Sequence, residues 1–131
     1  MRPLAFILAA LPLAAMADET LTAEAFDAAT LGKTILYGTA EGAYGIEEYL
    51  PGHRVRWSFL DGDCLDGQWY ASGPAICFVY EDQPAPHCWL FRDAAGGITA
   101  EFLEDGGDPG PLVALSATEE PLYCTGPKVG V

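Results

Sequence analysis

From Gly32 onward this chain never runs long without interruption: Gly, Pro or Asp-Gly turn signals break it roughly every 8 to 12 residues, a rhythm that suits short antiparallel strands and leaves no room for a second useful helix. The β-prone runs are Lys33 to Gly38, Gly42 to Leu50, His53 to Leu60, Leu65 to Ala71, Ala75 to Tyr80, Cys88 to Phe91, Gly97 to Leu103 and Leu112 to Ser116, with a last short one at Leu122 to Cys124. His53 to Leu60 shows the pattern best. Val55, Trp57 and Phe59 share one face and Arg54, Arg56 and Ser58 the other. About eight strands behind one helix predict a mainly β fold: a small antiparallel barrel of lipocalin-like shape, or a sandwich. The helix is read at Thr22 to Leu31, with Thr22 as N-cap, Glu24 in the first turn, Leu21 stapled against Phe26 and Gly32 after its end. So short a helix has to dock on the sheet to persist.

Four cysteines, Cys64, Cys77, Cys88 and Cys124, restrict the fold further. Their even number in a small exported chain reads as two disulfides, and three connectivities exist in principle. A hairpin centred between Asp82 and Gln83 sets Cys77 opposite Cys88, within the reach of a cross-strand bridge. Glu81 to His87 forms its connector. Cys64 is then left for Cys124, which ties the C-terminal segment to the middle of the sheet. No Cys-x-x-Cys pair is present, so neither a zinc ribbon nor a thioredoxin-type redox pair fits.

The premise of export comes from the N-terminus. Met1-Arg2-Pro3, the apolar run Leu4 to Ala15 and the small residues Ala15 and Ala17 form the three parts of a secretory signal peptide, residues 1 to 17. The apolar run would rise only about 18 Å as a helix, short of the roughly 30 Å of a bilayer core. Residues 18 to 131 then form one disulfide-stapled domain, periplasmic or secreted by a bacterium, with no stable membrane insertion after cleavage. The whole chain has 19 acidic and 6 basic residues, a net charge of −13, and the signal peptide holds one of the bases and none of the acids. Such a field repels phosphate backbones, which excludes nucleic acid as a partner.

The run Tyr44-Gly45-Ile46-Glu47-Glu48-Tyr49-Leu50-Pro51-Gly52-His53-Arg54-Val55-Arg56-Trp57 resembles small exported proteins of alphaproteobacteria, chiefly marine and photosynthetic ones. So do Gly67-Gln68-Trp69-Tyr70, Ile76 to Asp82 and Cys88-Trp89. More distantly, the chain is similar to a periplasmic domain family of unknown function in the same bacteria. The resemblance covers most of the chain after residue 17. It implies export and a β-rich fold, and it brings no functional residues with it.

Candidate chemistry is sparse. The serines lie in no Gly-x-Ser-x-Gly elbow, and His53 and His87 read as loop residues. Asp61-Gly62-Asp63 and Asp66-Gly67 look like parts of a calcium loop, but Leu65 stands where its third oxygen ligand belongs. The acidic stretch Glu101 to Asp108 reads as a solvated loop. No cofactor and no metal are expected. Trp57, Trp69, Trp89, Tyr70 and Tyr80 read as core or barrel lining. Arg54, Arg56 and Trp57 are the candidate ligand-binding residues, suited to an apolar or anionic small molecule at a barrel mouth. The leading expectation is therefore an exported, non-enzymatic binding module for a small molecule. The alternative is an acidic binder or inhibitor of a cationic protein such as a lysozyme or protease, and a small hydrolase is third.

Overall fold

The computed structural model describes residues 19–104 and 109–124; residues 1–18, on which the expected signal peptide falls, the middle of the acidic loop and residues 125–131 lie outside the described residues. Helix α1 (Ala23–Thr30) starts where the Thr22 side chain accepts a hydrogen bond from the Ala25 amide at 3.1 Å. It ends at Leu31, and Gly32 takes the positive φ of 78° that turns the chain into the sheet. The Gly32 amide then donates to the Tyr49 carbonyl, and before the helix the Leu21 amide donates to the Phe91 carbonyl at 2.7 Å. Both ends of the helix are thus tied to the sheet, as its short length requires.

Eight strands follow: β1 (Thr34–Thr39), β2 (Gly42–Leu50), β3 (Arg54–Ser58), β4 (Leu65–Ser72), β5 (Ala75–Tyr80), β6 (Gln83–Ala94), β7 (Gly97–Phe102) and β8 (Leu112–Thr118). Each pairs antiparallel with the next, and β8 returns to β1, so the sheet closes into a barrel and not a sandwich. Closure satisfies the backbone groups that an open edge would expose. Because directly opposed residues share a face, the register sorts the wall. Ile35, Glu47, Trp57 and Leu65 form one inward row across β1 to β4. Glu48, Arg56 and Asp66 form an outward row, in which Arg56 meets Asp66 at 3.1 Å and Glu48 at 4.0 Å. Charge outside and apolar side chains inside is the reverse of the pattern of a membrane barrel. Among the described residues no helix is long and apolar enough to cross a membrane.

Turns alternate between two ends. Helix α1, the β2–β3 turn, the β4–β5 turn and the β6–β7 turn gather at one end. That end is filled by Phe26, which is 0% exposed and packs edge-on against Tyr49, Trp69 and Phe78 and tilted against Phe91 at a 4.5 Å centroid distance. His53, in the β2–β3 turn, stacks on Trp69 at 3.6 Å. The other end carries the β1–β2, β3–β4, β5–β6 and β7–β8 connections.

Both disulfides form as the hairpin register and elimination predict. Cys77 and Cys88 are opposed in the β5–β6 ladder, with Cα atoms 4.0 Å apart. Cys64 and Cys124 close a sequence separation of 60. The second bridge holds residues 119–124 across the outer wall, where the Glu120 carbonyl accepts from Thr34 Oγ1 at 2.6 Å. Thr34 and Ser58 are buried on the outward face under that crossing, and Thr34, Ile46 and Ser58 line a surface groove with Pro121, Leu122 and Tyr123.

Three sequence expectations need correction. The connector Glu81 to His87 is in large part strand: the turn is only Glu81-Asp82, and β6 already begins at Gln83. Two extra residues in β6, between the Tyr80–Gln83 and Phe78–His87 pairs, absorb Pro84 and Pro86, which have no N–H to offer a ladder. Leu122 to Cys124 is not a strand; the disulfide holds it without a ladder. Tyr70 is not barrel lining but lies opposite Cys77 on the outer wall, half exposed.

Truncating the plug leaves a void among four rings that cannot collapse onto it. Phe26→Ala is expected to lower the unfolding free energy by about 3–5 kcal/mol, measured by urea denaturation. A loss of under about 1 kcal/mol would show that the helix is a loosely held appendage.

Candidate functional site

Above the Phe26 cluster the barrel is not filled. A cavity of about 260 Å³ opens at the end opposite the helix, lined by Trp57 from β3, Leu65 from β4, Tyr80 from β5, Gln83, His87 and Trp89 from β6 and Phe102 from β7. Tyr44, Phe59, Glu104 and Pro109 complete its rim. The rings support one another: Trp57 packs edge-on against Phe59 at 5.4 Å and tilted against Tyr44 at 6.0 Å, and Trp89 lies 4.6 Å from Phe102. His87 hydrogen-bonds Gln83.

Two glycines make room for these rings. A Cβ on Gly45 would collide with the Trp57 indole, and one on Gly67 would meet the Tyr80 ring at 2.7 Å and the Val79 carbonyl oxygen at 2.5 Å. The missing side chains let both aromatics lie flat along the wall, so the space they border stays open.

Behind Tyr80 sits the feature that the fold does not explain. Glu47 faces inward on β2 and is 2% exposed. Its Oε1 accepts a hydrogen bond from the Tyr80 hydroxyl at 2.7 Å, while its buried Oε2 has no partner among the described residues. Beside it the hydroxyls of Tyr37 and Tyr49 bond each other at 2.8 Å. Burial pushes the Glu47 carboxyl up from 4.5 to about 8, and the Tyr80 hydrogen bond offsets only part of that. Burial also raises Tyr37, Tyr49 and Tyr80, with the charge of Glu47 adding to the effect, so all three hydroxyls stay neutral. An unpartnered buried carboxyl oxygen costs roughly 1–3 kcal/mol, a penalty that the surrounding Ile35, Trp57 and Tyr49 do nothing to relieve.

Of the three residues that the sequence nominates, only Trp57 lines the cavity. Arg54 and Arg56 stand on the opposite face of the same strand, as a period of two dictates. Arg54 Nε donates to the Pro51 carbonyl at 3.3 Å and Arg56 pairs with Asp66 and Glu48. The structure does not bring the two arginines to the mouth. Trp89 and Tyr80 take the lining positions foreseen for them. His87 is a strand residue on the cavity wall and not a loop histidine. Glu47 escaped notice, although a signal existed: Glu47 and Glu48 are adjacent within β2, so alternation in a closed barrel must turn one of them inward. Among the described residues no group of three or more His, Cys, Asp and Glu side chains is placed to hold a metal ion.

Comparison with protein-family models, with curated proteins and with solved structures gives no match to this chain.

The buried carboxyl has a consequence for stability. Unfolded, Glu47 ionises near 4.5; folded, it keeps its proton to about 8. Between those values the native state holds a proton that the unfolded chain has lost, so its contribution falls as pH rises, by up to about 1.4 kcal/mol per pH unit, and levels off above the folded value. Glu47→Gln removes that slope. Urea denaturation near pH 4.5 and near pH 8 is expected to show the variant gaining on the wild type as pH rises; parallel profiles would contradict the burial of this carboxyl.

Proposed function

We propose that this protein is a non-enzymatic binding module that holds a small ligand in the open end of its barrel. The observation that carries this reading is the division of the interior: Phe26 fills one end completely, while the other is an aromatic cavity held open by Gly45 and Gly67. At about 260 Å³ the space lies below the roughly 300–1,000 Å³ of pockets for drug-sized ligands, which points to a small guest. No Ser, Thr, Cys or Lys is among its described lining residues, and nine of the eleven are neutral apolar, aromatic or amide side chains. The two disulfides are consistent with an oxidising compartment outside the cytoplasm. Together with the signal-like N-terminus they support a periplasmic or secreted site of action.

The chain has three tryptophans, and they divide usefully: Trp57 and Trp89 line the cavity, and Trp69 belongs to the plugged end. Three nearly isosteric probes, 2-phenylethanol, phenylacetate and 2-phenylethylamine, can be titrated into ¹⁵N-labelled protein. At least one is expected to shift the indole N–H signals of Trp57 and Trp89 while leaving that of Trp69 in place. If none moves either signal, or all three indoles shift together, the mouth is not a ligand site.

A further inference from the structure

Resting on that reading of the mouth, we infer that its ligand is a small methylated ammonium compound, seated with its charged head against the cavity-lining rings of Trp57, Tyr80 and Trp89.

Three observations converge on this class. The first is what the wall is made of. Six of the eleven described lining residues are Tyr, Trp or Phe, and only Leu65 and Pro109 are aliphatic. An aliphatic wall would receive a neutral apolar guest as well as an aromatic one does. What rings add is a negative face that attracts a cation. Trp57 and Tyr80 rest over Gly45 and Gly67 on the wall side, which leaves the opposite face of each ring to the cavity.

The second is charge. No Lys or Arg is among the described lining residues, and their one carboxylate, Glu104, stands at the rim. His87, the other lining group besides the tyrosines that can titrate, is hydrogen-bonded to Gln83. An anionic guest would leave water without gaining a counter-charge, whereas a cation passes a carboxylate on its way in. A chain carrying −13 also draws cations toward itself from a distance.

The third is the state of the polar groups on the wall, and it narrows the cation. The Tyr80 hydroxyl donates to Glu47, and His87 and Gln83 bond each other. The indole N–H groups of Trp57 and Trp89 are donors, of no use to another donor. A primary ammonium brings three N–H groups, and burying them against such a wall leaves them short of acceptors. A trimethylammonium head has no N–H to satisfy, and its charge is spread over methyl groups that pack against rings. At about 260 Å³ the cavity suits such a head on a short tail.

Choline, 3,3-dimethylbutan-1-ol and 3,3-dimethylbutanoate test this, the alcohol being the neutral isostere of choline with carbon in place of nitrogen. Each is titrated into the folded ¹⁵N-labelled protein near neutral pH, and affinity is read from the indole N–H signals of Trp57 and Trp89. Choline is expected to bind at least about fivefold more tightly than the alcohol, with the anion weakest. A smaller preference, or tighter binding of the anion, would overturn the cation and leave the ligand-binding mouth standing. If none of the three moves either signal, this inference falls alone, and the phenyl probes above still decide on the mouth.

A second measurement keeps size and fold constant. Replacing the tryptophans biosynthetically by difluorotryptophan drains the negative face of each indole while hardly changing its shape. Choline affinity should fall by about threefold or more, with that of the alcohol unchanged to within about twofold. A smaller fall for choline, or an equal fall for both, would overturn the seat against the indoles.

Discussion

Closing eight strands into a barrel encloses a space that wall side chains alone, or a body inserted from one end, must fill, and here the inserted body is the ring of Phe26. Its contacts with Tyr49, Trp69, Phe78 and Phe91 reach β2, β4, β5 and β6 at once. An eight-residue helix with little stability of its own is thereby fixed, and the barrel acquires a closed end. The same ring sets the depth of what remains. Because the plug occupies only one end, the other keeps its aromatic wall without filler.

That division gives the inward glutamate its meaning. In a barrel packed throughout, a carboxyl between Ile35 and Trp57 would be an error, since an apolar residue of similar volume would be more stable there. Behind Tyr80, whose ring lines the open cavity, it is a buried polar group that the barrel carries at a stability penalty. The glycines fit the same logic. Gly45 and Gly67 give up packing of their own so that Trp57 and Tyr80 can lie against the wall. The disulfides act elsewhere: one staples the β5–β6 hairpin, and the other straps residues 119–124 over the outer wall.

Much of this fold was legible in the residues. Turn punctuation placed the strands, alternation in Arg54 to Ser58 assigned their faces, and the opposition of Cys77 and Cys88 left one partner for Cys64. Strand number and spacing favoured a barrel, but the pairing that closes it was not legible, because nothing local in Thr34–Thr39 or Leu112–Thr118 says that they pair across more than 70 intervening residues. Pro84 and Pro86 read as loop because a proline disrupts a ladder unless a bulge absorbs it, and the bulge exists only once β5 is in place. The site was harder still. Arg54 and Arg56 drew attention as charges beside a tryptophan, yet period-two geometry turns them away from it. Glu47 sits in a run with two glutamates, and only the register with Ile35 and Trp57 determines which of them faces in.

The central physical claim is that the barrel buries a carboxyl whose second oxygen its own described side chains leave unsatisfied. The most direct measurement is a ¹³C NMR titration of the Glu47 side-chain carboxyl in the ligand-free protein, since chemical shift reports the proton on that one group. The expected midpoint is about 8, far above its ordinary 4.5. A midpoint in the ordinary carboxylate range would mean that water reaches Glu47 and that the carboxyl is not buried.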